Sequence, residues 1–449
     1  MDTAQPKTFE IGLAMAGAVS AGAYSGGVFD FMLQALDEWE KAKANNVADI
    51  PNHQVVIKVL SGASAGAITG AIGVVALSGG LRPQPFDKPG PRQQKYRCTL
   101  PNLYYAWVVK PRLVAAAAGE TDLLSLEDLK PQGRDPLVSS LVNSTLLDQI
   151  ASASLTVKPS GSPVLYVAKD LHVYLTLSNL RGIPFAIQFE GGGYGMQSHG
   201  DRVHYVVNGL GRWNTVSPWA SQDVATPIDA SGLSSANEPS LEWRKFALSA
   251  IASGAFPVGL APRQIEATTG GYDTRYMPVD MPTLIYVKPA WPSPWYSGKP
   301  RDFTFLSVDG GVINNEPFDY ARYTLMTDPP KPNKRNGVDA DRAVIMIDPF
   351  PQPPKFAGDG KPAADVVSAV AALLPALINQ ARFKPSELAE AASPNVYSRF
   401  LIAPHRHLPG KAKEELYALA CGLLGGGARL GAKSLRLQNI PRRRGAYAG

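Results

Sequence analysis

Three short stretches carry residue types that could do covalent chemistry. In SGASAG, Ser64 stands between Gly62 and Gly66, the G-x-S-x-G spacing of a serine exposed on a tight strand-to-helix turn. Such a turn strains the serine backbone and leaves little room beside it, a collision that flanking glycines avoid. It also sets the hydroxyl at a helix start, where free N–H groups favour developing negative charge. The plainer reading is a tight connection in which Ser64 caps the helix.

The second stretch, AGAVSAGAYSGG from Ala16 to Gly27, could offer backbone N–H groups to the oxyanion of an acyl intermediate beside Ser64. Gly17 and Gly22 also have the glycine spacing of a phosphate-binding loop, yet Ala23 and Tyr24 stand where Lys and Ser or Thr are needed. A dinucleotide fingerprint fails because Val19 occupies its middle glycine. The third stretch, DGGVINNEP, follows an apolar run and sets Asp309 ahead of Gly310 and Gly311. At the C-terminal end of a strand in a parallel sheet, Asp309 would share an edge with Ser64. The alternative is an Asx-turn or a helix cap.

These residues need a scaffold. Thr8 to Met15 (TFEIGLAM) reads as a strand, and Val28, Met32, Leu33, Leu36 and Trp39 then recur at helical spacing. Val55 to Leu60 is a continuous apolar run, as in a strand buried on both faces of a parallel sheet. Strand signals return in PVLYVAKDLHVYLTLSNL and IPFAIQFE, read as a strand pair, and Phe303 to Val308 and Ala343 to Ile347 read as further buried strands. A helix is expected at Ala247 to Ile251. Leu81 to about Ser160 is proline-rich, then irregularly helical, and reads as an inserted cap. Pro351 to Pro362 is linker-like, with helices expected near Val366 to Arg382 and Glu414 to Leu424. The expected division is an α/β unit over 8–350, with a helical insertion at 81–160, and a helical C-terminal extension over 351–449.

The formal net charge is +6, but from Leu401 onward nine Lys and Arg face only Glu414 and Glu415. The body is therefore close to neutral and the end basic. Such an end suits peripheral contact with an anionic membrane or a solvated tail, and no nucleic-acid signature accompanies it. Cys98 and Cys421 lie far apart and read as free thiols. Ile11 to Val28 lacks the cationic start of a signal peptide, and Ala63 to Leu77 is short and glycine-rich for a membrane span. A cytoplasmic location is the resulting expectation. No carboxylate cluster has metal spacing, and acyl-serine chemistry calls for neither metal nor cofactor.

In order and spacing, GLAMAGAVSAGAYSGGV, SGASAG and DGGVINNEP resemble the patatin-like phospholipase family over roughly Phe9 to Phe350. ASGAFPVGLAP, ending at Pro262, resembles that family's A-S-x-A-x-P segment. The resemblance implies a three-layer α/β/α fold with a largely parallel central sheet and a lipid or phospholipid acyl ester as substrate. It implies Ser64 as nucleophile and Asp309 as proton acceptor, with an oxyanion hole from Gly17, Ala18, Val19 and Ala65. One departure is Ala21, where the family usually carries an arginine; Ala18 and Val19 likewise replace glycines. The alternative from another class is a catalytically silent lipid-binding or scaffold protein. A Ser-His-Asp triad is a further alternative, for which His405 and His407 alone among the histidines follow Asp309.

Other residues have two readings each. Trp291, Trp295 and Tyr296 in PAWPSPWYSGKP suit a lipid interface or an aromatic loop packed on the core. Asp170 and His172 lie in strand sequence and read as structural. Asn314, Asn315 and Glu316 read as turn and cap residues.

Overall fold

The computed structural model describes residues 7–403, apart from 19–20, 86–97, 114–119, 130–137, 157, 234–237, 278–284, 329–330, 332, 334–339, 350–364, 381–398 and scattered positions between 367 and 378. The main elements are β1 (Thr8–Met15), α1 (Gly22–Ala44), β2 (Gln54–Gly62), α2 (Ala65–Ser78), α3 (Thr145–Ser154), β3 (Val164–Phe189) and β4 (Gly192–Asn208). They continue as α4 (Leu241–Ser253), β5 (Arg263–Thr268), β6 (Asp302–Asp309), α5 (Phe318–Thr324), β7 (Arg342–Ile347) and β8 (Arg399–Ile402). The architecture is α/β, with a largely parallel central sheet ordered β8-β7-β1-β2-β3-β6-β5. From β8 to β3 every neighbouring pair is parallel, whereas β6 runs antiparallel to β3 and to β5.

The apolar runs of β1 and β2 follow from burial on both faces. Ile11, Leu13 and Met15 enter one core cluster with Phe29 and Leu33 of α1, Val74 and Val75 of α2, Ile150 of α3 and Phe246 of α4. Ala14 and Val59 enter a second cluster on the opposite side, with Phe318 and Tyr320 of α5. The register of β1 on β2 shifts at Lys58, whose buried ammonium donates to Glu10 Oε2 at 2.9 Å and to the Val216 carbonyl at 2.6 Å. A cation in the middle of a core strand is thus paired and hydrogen-bonded, as burial demands.

Three sequence expectations need revision. The expected strand pair in 163–190 is one strand, β3, whose pairing with β4 slips between Ser178 and Ile183. There Asn179 Oδ1 accepts the N–H groups of Arg181 and Gly182, so residues that resemble a turn form a bulge instead. β6 is not buried on both faces, since its residues alternate between buried and exposed. The segment beyond 350 also contributes β8 to the central sheet, next to β7. Described residues between 366 and 380 are helical, while the helix expected at Glu414 to Leu424 lies outside the described residues. Within the expected insertion, short helices occur at Pro101–Tyr104 and Glu127–Leu129, and α3 packs against α2 and α4. No helix among the described residues is long and apolar enough to cross a membrane.

The turn from β2 to α2 is tightly constrained. Ser64 has φ 51° and ψ −123°, a region that costs a non-glycine residue roughly 1–3 kcal/mol. A Cβ on Gly66 would lie 2.2 Å from the Met15 carbonyl oxygen, a backbone atom of the neighbouring strand. Gly66→Ala is therefore expected to lower the unfolding free energy by about 3 kcal/mol or more, measured by urea denaturation. At position 64 the ordinary stability order of glycine and alanine should invert. Ser64→Gly should exceed Ser64→Ala by about 1–2 kcal/mol, because only glycine relieves the positive φ. Equal or opposite stabilities would show that the strained turn is not held in solution.

Candidate active site

β2 and β6 reach the site from opposite directions. Gly62 at the end of β2 pairs with Leu175 of β3, and Asp309 at the end of β6 pairs with Leu177. The other edge of β3 is occupied here by β4, which pairs with both Leu175 and Leu177. Two strands therefore meet end to end along a single edge of β3. The acid does not arrive on a parallel strand, as the sequence suggested; it faces the serine across the gap where two C-terminal ends converge.

Across that gap Ser64 Oγ donates to Asp309 Oδ2 at 2.6 Å. Both residues are buried, at 6% and 3% exposure. The other carboxylate oxygen, Oδ1, accepts the Gly311 N–H at 2.7 Å. The Asx-turn and the contact with serine are thus not alternatives; each uses one oxygen. The Asp309 backbone is fixed as well, its N–H donating to the Ala255 carbonyl at 2.8 Å and its own carbonyl accepting from Ser178 Oγ at 2.8 Å. At Gly310 the backbone lies so close to Thr176 that a Cβ would sit 2.1 Å from its carbonyl oxygen. Burial pushes the Asp309 carboxyl up to about 6, against the opposing pull of the Ser64 and Gly311 hydrogen bonds.

The serine is held from behind. Its N–H donates to Ser253 Oγ at 3.0 Å, at the end of α4. The Gly17 N–H donates to the Asn315 carbonyl at 3.0 Å, and Asn315 Nδ2 returns a 3.4 Å bond to the Gly17 carbonyl. Gly17 therefore anchors the loop after β1 and is not a free oxyanion donor, which corrects one member of the expected set. The N–H groups of Ala18 and Ala65 have no acceptor among the described residues, and both residues are buried. Ala65 opens the fourteen-residue α2, so its N–H carries the positive end of that helix. Val19 lies outside the described residues.

Three contributors to this arrangement escaped sequence reasoning. Ser253 lies in the ASGAFPVGLAP segment, Ser178 in a strand, and Asn315 in a run read as turn and cap residues. The available signal was that Ser253 and Asn315 lie inside quoted motifs, ASGAFPVGLAP and DGGVINNEP; Ser178 had none. The histidine alternative finds no support at Ser64, whose hydroxyl donates directly to a carboxylate. His172 instead lies in the fold interior, its Nδ1 3.0 Å from His204 Nε2, with His204 Nδ1 3.2 Å from Asp223. Burial foremost, with His204 and Lys58 adding to it, pushes His172 down to about 3. His405 and His407 lie outside the described residues. Trp291 and Trp295 pack on a third core cluster containing Phe303 and Phe305, as in the core-packing reading of that loop. No group of three His, Cys, Asp or Glu side chains among the described residues could hold a metal ion.

No protein-family model matches the chain. It is similar to a protein of Sinorhizobium fredii (strain NBRC 101917 / NGR234) described as uncharacterized protein y4iI, with 51% identity over 431 residues. The matched region covers 93% of this chain and 61% of the relative, so the chain spans about three-fifths of that protein's length.

Proposed function

We propose that the protein is a serine acyl hydrolase acting on lipid esters, with Ser64 as nucleophile and Asp309 as general base. The observation that carries this reading is the 2.6 Å bond between a serine at positive φ and a buried carboxylate of raised proton affinity. An ordinary aspartate is a poor base for a hydroxyl. A rise from 3.8 to about 6 makes this one roughly a hundredfold stronger while leaving it mostly ionised at neutral pH. The lipid substrate class rests on the motif resemblance to patatin-like phospholipases, and so does the three-layer patatin-like form of the fold.

In the proposed reaction, Ser64 Oγ adds to the ester carbonyl as its proton passes to Asp309 Oδ2. The tetrahedral oxyanion is met by the Ala65 and Ala18 N–H groups, a donor of this kind being worth roughly 3–4 kcal/mol on the barrier. Collapse expels the alcohol, which takes the proton from Asp309, and leaves an acyl-serine. Water then adds to the acyl carbon, passing a proton to Asp309, and the fatty acid departs as Ser64 recovers that proton. The absence of the family's usual arginine, with Ala21 in its place, favours one second reading, a silent lipid-binding protein. Labelling by a fluorophosphonate probe separates the two, since a silent Ser64 would not be captured.

Ser64→Ala and Asp309→Asn are each expected to reduce hydrolysis of a chromogenic butyrate ester by roughly 10³-fold or more, with unchanged far-ultraviolet circular dichroism. Unaltered turnover by either variant would discard the mechanism. In wild type the rate should rise as pH passes about 6 and then level off. Stability should move the other way. The folded chain keeps the Asp309 proton up to about pH 6, whereas the unfolded chain loses it near the ordinary value of 3.8. Between these values the folded state binds more protons, so its stability falls as pH rises, by about 3 kcal/mol in all. Asp309→Asn should therefore gain stability over wild type between pH 4 and pH 8, read from urea midpoints. A pH-independent difference would contradict the buried, raised carboxyl.

A further inference from the structure

Beyond the site, β3 and β4 leave the sheet as a two-stranded arm. Ile183 to Phe189 pair with Ser198 to Gly192, and no third strand joins them among the described residues. In this register Phe185 lies opposite Met196 and Ile187 opposite Tyr194, and cross-strand partners share one side of a ribbon. That side therefore carries Phe185, Ile187, Phe189, Tyr194 and Met196. The other side carries Pro184, Ala186, Gln188, Gln197 and two glycines. Outermost on the apolar side, Ile187, Phe189, Tyr194 and Met196 are 47%, 62%, 61% and 40% exposed. A lone two-stranded ribbon with an open apolar face is marginal in water.

At the root of the arm this side merges with the aromatic loop. Ile183 belongs to the core cluster on which Phe185, Trp291 and Trp295 pack, and the Ala290 N–H donates to the Pro184 carbonyl at 2.7 Å. Arg181 and Arg301 lie over the Trp295 ring at 5.4 and 4.7 Å. With Lys245 they line a cleft of about 640 Å³, which also contains Glu266 and Asp302. Among the described residues neither guanidinium has a carboxylate within 4.0 Å; each gives one N–H to a backbone carbonyl, of Thr304 and of Trp295. Apolar side chains, tryptophans and arginines with no carboxylate partner among the described residues thus follow one another along one flank. A ribbon with its apolar side buried at an anionic lipid surface would present them in that order, with the rings at the interface and the cations at phosphate depth.

We infer that the arm of 183–198 docks this protein on an anionic phospholipid surface, its apolar side in the membrane and Arg181 and Arg301 on lipid phosphates. The docking serves the lipid-ester reading above and rests on it for its purpose, because the arm leaves the sheet a few residues past Leu177, the partner of Asp309.

The test uses the full chain carrying Ser64→Ala, so that vesicles are not consumed, and reads co-sedimentation with vesicles of equal parts phosphatidylglycerol and phosphatidylcholine. Adding Ile187→Ser with Phe189→Ser should weaken binding roughly tenfold or more. Adding Arg181→Ala with Arg301→Ala should weaken it several-fold, as should vesicles of phosphatidylcholine alone. The Ile187→Ser, Phe189→Ser pair in the wild-type background should leave hydrolysis of a soluble butyrate ester unchanged. Vesicle binding that is absent in the parent, or indifferent to the arm substitutions, overturns the inference. So does a gel-filtration shift from dimer to monomer on those substitutions with vesicle binding intact, which would assign the arm to a second copy. Vesicle binding without any soluble-ester hydrolysis by wild type would instead overturn the catalytic reading and leave the docking standing.

Discussion

The hydrogen bond from Ser64 to Asp309 sets the terms for the rest of the molecule. A carboxylate with 3% exposure loses most of its hydration, and an ionised group in that position is costly unless donors replace the water. Two do, the Ser64 hydroxyl and the Gly311 N–H, one for each oxygen. They do not fully compensate, and the residual cost appears as raised proton affinity. Under the hydrolase reading proposed above, this incomplete solvation is what would fit the aspartate for proton transfer. A fully satisfied carboxylate would be a weaker base, and a more exposed one would revert toward its ordinary value.

Positioning so short a contact between residues 245 apart in sequence falls to β3. This strand is long enough to serve as a common edge for β2 and β6, which pair with it at Leu175 and Leu177. The separation of the two side chains is then fixed by strand geometry, and no flexible loop intervenes on the acid side. The same length explains why β3 continues past the site as an arm: the residues that follow the dyad have left the sheet but still have β4 as partner.

Much of the first half of the fold was legible in the sequence because its signals are local. β1, α1, β2 and α2 follow from apolar runs, helical spacing and small-residue turns, and Ser64 and Asp309 from glycine-flanked motifs at the ends of strands. What stayed hidden depends on pairing. Nothing within FTFLSVD states that its strand runs antiparallel to its neighbour, and the alternating exposure that hints at it is diluted by Phe303, Phe305 and Leu306 together. Asn179 disguised a bulge as a turn because its side chain makes the same backbone bonds in both. Gly17 looked like an oxyanion donor, yet its N–H is taken by a carbonyl almost three hundred residues away. Of the supporting serines, Ser178 has no sequence pattern of its own, whereas Ser253 is the serine of the A-S-x-A-x-P segment, whose role only the fold reveals.

The two N–H groups without an acceptor among the described residues come from different crossovers, Ala18 after β1 and Ala65 after β2. Their relative placement follows from the parallel register that sets Met15 beside Gly62. A slip of one residue would move one N–H by about 3.3 Å relative to the other, more than the proposed oxyanion contact would tolerate. The register is locked where it matters: the Ala63 N–H bonds the Met15 carbonyl at 3.1 Å, and Gly66 packs directly against that carbonyl oxygen. Asn315, six residues beyond Asp309, then holds Gly17 through both backbone groups. The segment that carries Asp309 therefore also anchors the loop that carries Ala18. Asp309, Ser64 and the loop after β1 form one cross-braced unit, in which displacing any member disturbs the other two.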